Sequence, residues 1–213
     1  MNSKVLLFVI VQCLLAPLAF AQGTRAPEKP VPVPAVPDYR VSVTGYFDAE
    51  MLAEFGNRVR GYVELRSSLE TGSSTLRVTI DPDEIIRAEK VLGGKIRAAR
   101  SKARQGDIFA RPLADQIGKM LVVEVDAQTL AVIMDDNPGE FGFQLNGAYP
   151  KDKPVSTVPA NLLRLMPMLA DGVEYRFVGR HLILRDTKAN IIIDKIPYVL
   201  RCDDCRGSQA WGR

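Results

Sequence analysis

Between Glu174 and Lys195 the chain adopts a hydrophobic pattern that leaves it few ways to fold. Three short runs, Glu174 to Val178, Leu182 to Asp186 and Ile191 to Lys195, are separated only by Gly179-Arg180 and by Thr187 to Asn190. Connections this short cannot enclose a crossover, so the runs are expected to pair as successive antiparallel strands. Gly179 at the first turn position supplies the positive φ of a type II′ hairpin. The apolar face of such a meander calls for a cover.

The preceding chain reads as that cover. Asp48 can cap a helix that places Met51, Leu52, Phe55, Val59, Tyr62 and Leu69 on one face, and Gly72-Ser73-Ser74 ends it. Leu76, Val78 and Ile80 alternate with polar residues, which predicts a short strand. Asp81-Pro82-Asp83-Glu84 combines a cap, a first-turn proline and a capping-box glutamate, so a helix starts there. Its stripe of Ile85, Leu92, Ile96, Ala99 and Ala103 predicts an end near Gly106. Pro112 opens another helix through Leu113, Ile117, Met120 and Leu121, and Val122 to Val125 suits either helix or strand. A further turn or two over Leu130 to Met134 stops at Asn137-Pro138-Gly139. Phe141, Phe143 and Leu145 predict a strand before the Asn146-Gly147 turn, Pro154 to Ala160 a loop, and Asn161 to Met166 a short helix. Helices followed by strands make an α+β fold, with N-terminal helices packed on a small antiparallel β-meander.

The ends of the chain imply export. Lys4, the apolar run from Val5 to Phe20, and Ala19 and Ala21 around Phe20 follow the order of a secretory signal peptide cleaved after Ala21. The run is broken by Gln12 and Pro17 and falls short of the roughly 20 apolar residues that span a bilayer. Cys13 follows Gln12 inside that run, which does not suit lipid attachment. Residues 22–38 hold Pro27, Pro30, Pro32, Pro34 and Pro37 and read as a semi-rigid spacer. A single domain over residues 39–200 follows, then a flexible tail, 201–213, with Cys202 and Cys205. In an oxidising compartment those two residues form a local disulfide or remain as mobile thiols. Asp203 and Asp204 between them oppose the lowered thiol pKa of a redox motif.

Several segments resemble a group of uncharacterised exported bacterial proteins. They are Gln105-Gly106-Asp107-Ile108-Phe109, Asn137-Pro138-Gly139, Asn146-Gly147 with Tyr149-Pro150, Leu162-Leu163 before Pro167, and Glu174-Tyr175-Arg176-Phe177-Val178-Gly179-Arg180 continuing to Asp186, Asn190 and Asp194. The resemblance covers about half the chain and implies no activity. Ala110-Arg111 departs from it, because such proteins place a helix-capping threonine before the proline. The meander from Gly172 to Ile196 also resembles the C-terminal module of small periplasmic proteins linked to nickel and cobalt homeostasis, through its alternation and turn residues.

Catalytic chemistry has few candidates. His181 is the single histidine, so every Ser-His-Asp or Cys-His arrangement would have to use it. No nucleophile elbow, zinc-binding helix or Walker loop occurs, and Gly93-Gly94-Lys95 lies within a helical pattern. Asp135 and Asp136 precede a turn and read as turn chemistry. If the chain holds a metal, His181, Asp186 and Asp194 are the residues to examine first, though the sequence implies no cofactor.

Charge is uneven in one place. The formal charge of +3 falls to +2 once Lys4 leaves with the signal, too small a balance to name a partner. From Arg87 to Arg111, however, eight basic residues face only Glu89 and Asp107, a local charge of +6. On a helix, Arg87, Lys90, Arg97, Arg100 and Arg104 share one arc that could meet an anionic lipid surface or an acidic envelope protein. Nucleic acid is not expected, because no aromatic residues interleave with the charges and the chain is exported. The reading is a periplasmic or secreted protein with a non-catalytic binding or accessory role at the cell envelope. The alternative is a metal- or carboxylate-dependent periplasmic enzyme. Mass spectrometry of protein from the envelope should find a mature N-terminus at Gln22, and an intact Met1 on that form would reject export by cleavage.

Overall fold

The computed structural model describes residues 45–71 and 81–200. The segment read as a signal peptide, the proline-rich segment, the strand expected over Leu76 to Ile80, and the tail with Cys202 and Cys205 lie outside the described residues. The helices are α1 (Ala49–Thr71), α2 (Pro82–Ala99), α3 (Arg111–Glu124), α4 (Ala127–Asp135) and α5 (Ala160–Leu163). The strands are β1 (Val173–Val178), β2 (His181–Asp186) and β3 (Ile191–Ile196), paired antiparallel in the order β1-β2-β3. The fold is α+β, with the described helices preceding a C-terminal three-stranded antiparallel sheet.

Local chemistry starts these elements where expected. Asp48 Oδ1 accepts from Met51 N at 2.7 Å, and Asp81 Oδ1 from Asp83 N at 2.9 Å. α4 starts earlier than the expected Leu130, at Ala127, because Asp126 caps it through Thr129 N at 2.7 Å. Proline occupies the first turn of both α2 and α3. The β1-β2 turn has φ 55° at Gly179 and an ordinary φ at Arg180, as a II′ hairpin requires.

The helices cover one face of the sheet. Phe55, Val59 and Tyr62 of α1, Leu92 and Ile96 of α2, and Leu113, Ile117, Met120 and Leu121 of α3 share a core with Val173, Tyr175, Phe177, Leu182, Leu184 and Ile191. Phe55, Phe109 and Tyr175 stack in sequence, with centroids 6.0 and 6.2 Å apart. α2 comes close to the β2-β3 turn because Gly93 has no side chain there. A Cβ at that position would stand 3.1 Å from Ala189 O.

A smaller cluster of Val178, Ile183, Ile192 and Tyr149, with Phe141 and Phe143 against it, occupies the other face. The strand expected over Phe141 to Leu145 does not form. Its two phenylalanines pack onto the sheet, and only the chain after them pairs with an edge. Asn146 N donates to Ile192 O at 2.6 Å, Ile192 N to Gly147 O at 2.9 Å, and Tyr149 N to Asn190 O at 2.9 Å, which covers β3.

At the β1 edge a side chain takes the place of a strand. Ser156 Oγ donates to Phe177 O at 2.6 Å and accepts from Phe177 N at 2.8 Å. Asn137 acts in the same way at the hairpin tip, donating to Gly179 O at 2.9 Å and accepting from Gly179 N at 2.8 Å. Both groups are thereby satisfied without a fourth strand.

Candidate functional site

α2 ends at Ala99 rather than near Gly106, and the cause is Asp194 on β3. Its buried carboxylate accepts from four backbone amides: Gly106 N at 3.0 Å, Ile108 N and Phe109 N at 2.8 Å each, and Lys195 N at 2.8 Å. Three of those donors come from the segment between α2 and α3, which must therefore be a loop with its N–H groups turned toward the sheet. A buried carboxylate is tolerated only when its oxygens are satisfied, and here both are.

Asp186, at the end of β2, is equally buried and equally occupied. Oδ2 accepts from Tyr62 Oη at 2.6 Å and Arg66 Nη1 at 3.2 Å, and Oδ1 from Lys188 N at 2.8 Å and Ala189 N at 2.9 Å. Arg66 also donates to Asp171 O at 2.9 Å and Gly172 O at 3.3 Å. Burial, and then the Asp186 charge, push the Tyr62 hydroxyl well above the usual phenol range, so it stays a donor.

The three residues proposed for a metal are not brought together. His181 pairs with Val178 at one end of β2 and Asp186 with Val173 at the other, about 16 Å apart along an extended strand. Asp194 faces the α2-α3 loop. Among the described residues no group of three or more His, Cys, Asp or Glu side chains is placed to hold a metal ion. The sequence could show that two aspartates end or interrupt strands, but not that backbone amides from distant segments would fill them.

His181 has a different role. Its half-buried ring lies 5.8 Å from the Phe143 ring and 4.7 Å from that of Tyr198, and Nδ1 accepts from Tyr198 N at 3.2 Å. An imidazolium could not accept that bond. Burial lowers its pKa; Glu140 opposes this, while Lys195 and Arg180 lower it further.

The basic arc divides. Arg87, Lys90 and Arg97 are exposed on α2, although Arg97 Nε also donates to Asn146 O at 3.2 Å. Arg100 leaves the arc: Nη1 donates to Asn146 Oδ1 at 2.7 Å and Ile193 O at 3.2 Å, and the guanidinium lies 5.2 Å from the Tyr62 ring centroid. Asn146 returns a bond to Arg100 O at 3.2 Å. Burial lowers the Arg100 pKa. Arg104 is exposed but follows the helix end, in the loop held by Asp194.

Sequence reasoning missed Ile86 and Val91, which are 42% and 53% exposed on the face that carries Arg87 and Lys90. Their positions outside the buried stripe were the available signal. No described helix is long and apolar enough to cross a membrane. No protein family, curated protein or solved structure matches this chain.

Two consequences can be measured. Asp194→Ala would leave three loop amides without their acceptor, and at about 1 kcal/mol or more for each the loss should be at least about 3 kcal/mol in urea unfolding. A loss under about 1 kcal/mol would show that the loop does not depend on this carboxylate.

The second concerns pH. With its folded-state pKa below its unfolded value of about 6.5, His181 contributes stability that is complete above that value and declines as pH falls through the folded pKa. The melting temperature should therefore drop between pH 7.5 and 5.5, and His181→Phe should flatten the dependence. An NMR titration of the single imidazole giving a midpoint above about 6.5 would contradict this.

Proposed function

We propose that this is an exported, non-catalytic binding or accessory protein of the cell envelope, and that α2 is the face with which it meets an anionic lipid surface. The reading is carried by one observation: Ile86, Arg87, Lys90, Val91 and Arg97 are exposed on a single side of α2. At about 100° per residue they fall within an arc of roughly 140°. Past the first turn, where Asp83 and Glu84 lie, no acidic residue enters it. Cations interleaved with aliphatic side chains suit a lipid headgroup layer, which accepts charge at the surface and apolar groups just beneath. The N-terminal signal pattern supports export. Asp186 and Asp194 are already occupied by structural hydrogen bonds, which favours binding over a reaction that uses those two carboxylates.

Cosedimentation with vesicles tests this. The chain should bind vesicles of phosphatidylglycerol and phosphatidylethanolamine, release them as salt shortens the Debye length from about 10 Å at 0.1 M, and ignore vesicles of phosphatidylcholine alone. Arg87→Glu with Lys90→Glu should weaken binding at least roughly tenfold, given about 1 kcal/mol for each cation near an anionic surface. Arg100 is left intact because it holds the fold. Equal binding by parent and variant would reject the proposal. Salt-sensitive capture of acidic envelope proteins without vesicle binding would replace the lipid with a protein partner.

A further inference from the structure

α3 has a second face that the fold does not use. Leu113, Ile117, Met120 and Leu121 point into the core, whereas the opposite side borders an open groove of about 610 Å³ against the chain after β3. The groove is lined in part by Ala114, Gly118, Val122, Val123 and Tyr198. Val122 is 52% exposed, Val123 70% and Tyr198 59%. Gly118 lies within the helix, where glycine costs about 1 kcal/mol relative to alanine. Nothing lies within 4 Å of where its Cβ would be. No packing among the described residues therefore explains it, and the helix backbone is open to close approach there.

Charge on this face is self-complementary. Asp115 and Lys119 are both exposed, one turn apart along the groove. If a second α3 lies antiparallel, a two-fold axis near residue 117 places each Asp115 opposite the other copy's Lys119. An axis near residue 118 places Ala114 opposite Val122 and Gly118 opposite itself. The two axes differ by one residue, about 1.5 Å, which a lysine side chain easily spans. A parallel arrangement in register would instead oppose like charges. The pattern thus defines one orientation of an isologous interface, in which one patch serves both copies.

We infer that the α3 face, with Val122, Val123 and Tyr198 as its apolar contact and Asp115 and Lys119 as its register, is a homodimer interface. The apolar contact supplies most of the affinity, because exposed ion pairs contribute only about 0 to 1 kcal/mol each. The charges select the partner. Arg111 lies 3.9 Å from Asp115 within the chain, but both are exposed and the contact leaves Asp115 accessible.

Sedimentation equilibrium of the purified chain tests this, with circular dichroism to confirm that each variant is folded. The parent should show a concentration-dependent species of twice the protomer mass. Asp115→Lys alone and Lys119→Asp alone should each weaken association about tenfold or more, equivalent to about 1.4 kcal/mol. Mixing those two single variants should restore it, because one face is then wholly basic and the other acidic. Asp115→Lys with Lys119→Asp in one chain should also restore it, which only a face that meets its own copy allows. A parent that stays monomeric at about 0.1 mM, or failure of both the mixture and the double variant to recover association, would overturn the proposal.

Discussion

The carboxylate of Asp194 brings four backbone amides together inside the protein, and most of the architecture is arranged around it. Its charge is stabilised only while Gly106, Ile108 and Phe109 present their N–H groups, so α2 has to stop before that segment and α3 has to start after it. Phe109 is thereby held between Phe55 and Tyr175, linking α1 to β1 through the aromatic stack. One carboxylate side chain on β3 thus ties together a helix end, a loop and the entry of an aromatic residue into the core. The energetic reason is asymmetry: the net gain from each such bond is modest, but a buried donor left unmade costs its full desolvation.

Asp186 applies the same principle one strand away, with α1 as the connected element. Tyr62 and Arg66 are one turn apart on α1 and reach the same oxygen, while the other oxygen closes the β2-β3 turn through Lys188 and Ala189. Arg100 completes the connection between helices and sheet by holding Asn146 and Ile193 with its guanidinium over Tyr62. The interior charges therefore act as ties between segments far apart in sequence. Using them for catalysis would require freeing the atoms on which those ties depend.

The division between what the sequence revealed and what it concealed follows the range of the interactions. Asp48 and Asp81 accept from amides within a few residues and Pro112 presets φ in the first turn of its helix, so the starts of α1, α2 and α3 could be read locally. The two-residue Gly179-Arg180 turn fixed the first hairpin in the same way. The end of α2 could not be read, because Ala99 and Ala103 continue a helical stripe and the interaction that stops it comes from a strand about ninety residues later. Phe141 and Phe143 alternate like a strand, yet they serve as a lid over Ile183 and Ile192, and alternation alone does not distinguish the two. Of the site, the exposure of Arg87 and Lys90 was legible from helical phase. The loss of Arg100 from their arc was not, since it depends on Asn146 folding back against the helix end.

The long-range ties are made by a few short stretches of chain. Gln105 to Phe109 supplies the donors for Asp194, and Asn137 closes the hairpin tip at Gly179. Asn146 joins Arg100 to β3, Tyr149 pairs with Asn190, and Asp186 receives Tyr62 and Arg66. Residues of this kind hold the fold together through their hydrogen bonds. Surface binding then has to come from side chains outside the ties. In this chain those are the exposed residues of α2 and α3, where Ile86, Val91, Val122 and Val123 meet solvent without a structural role that would place them there.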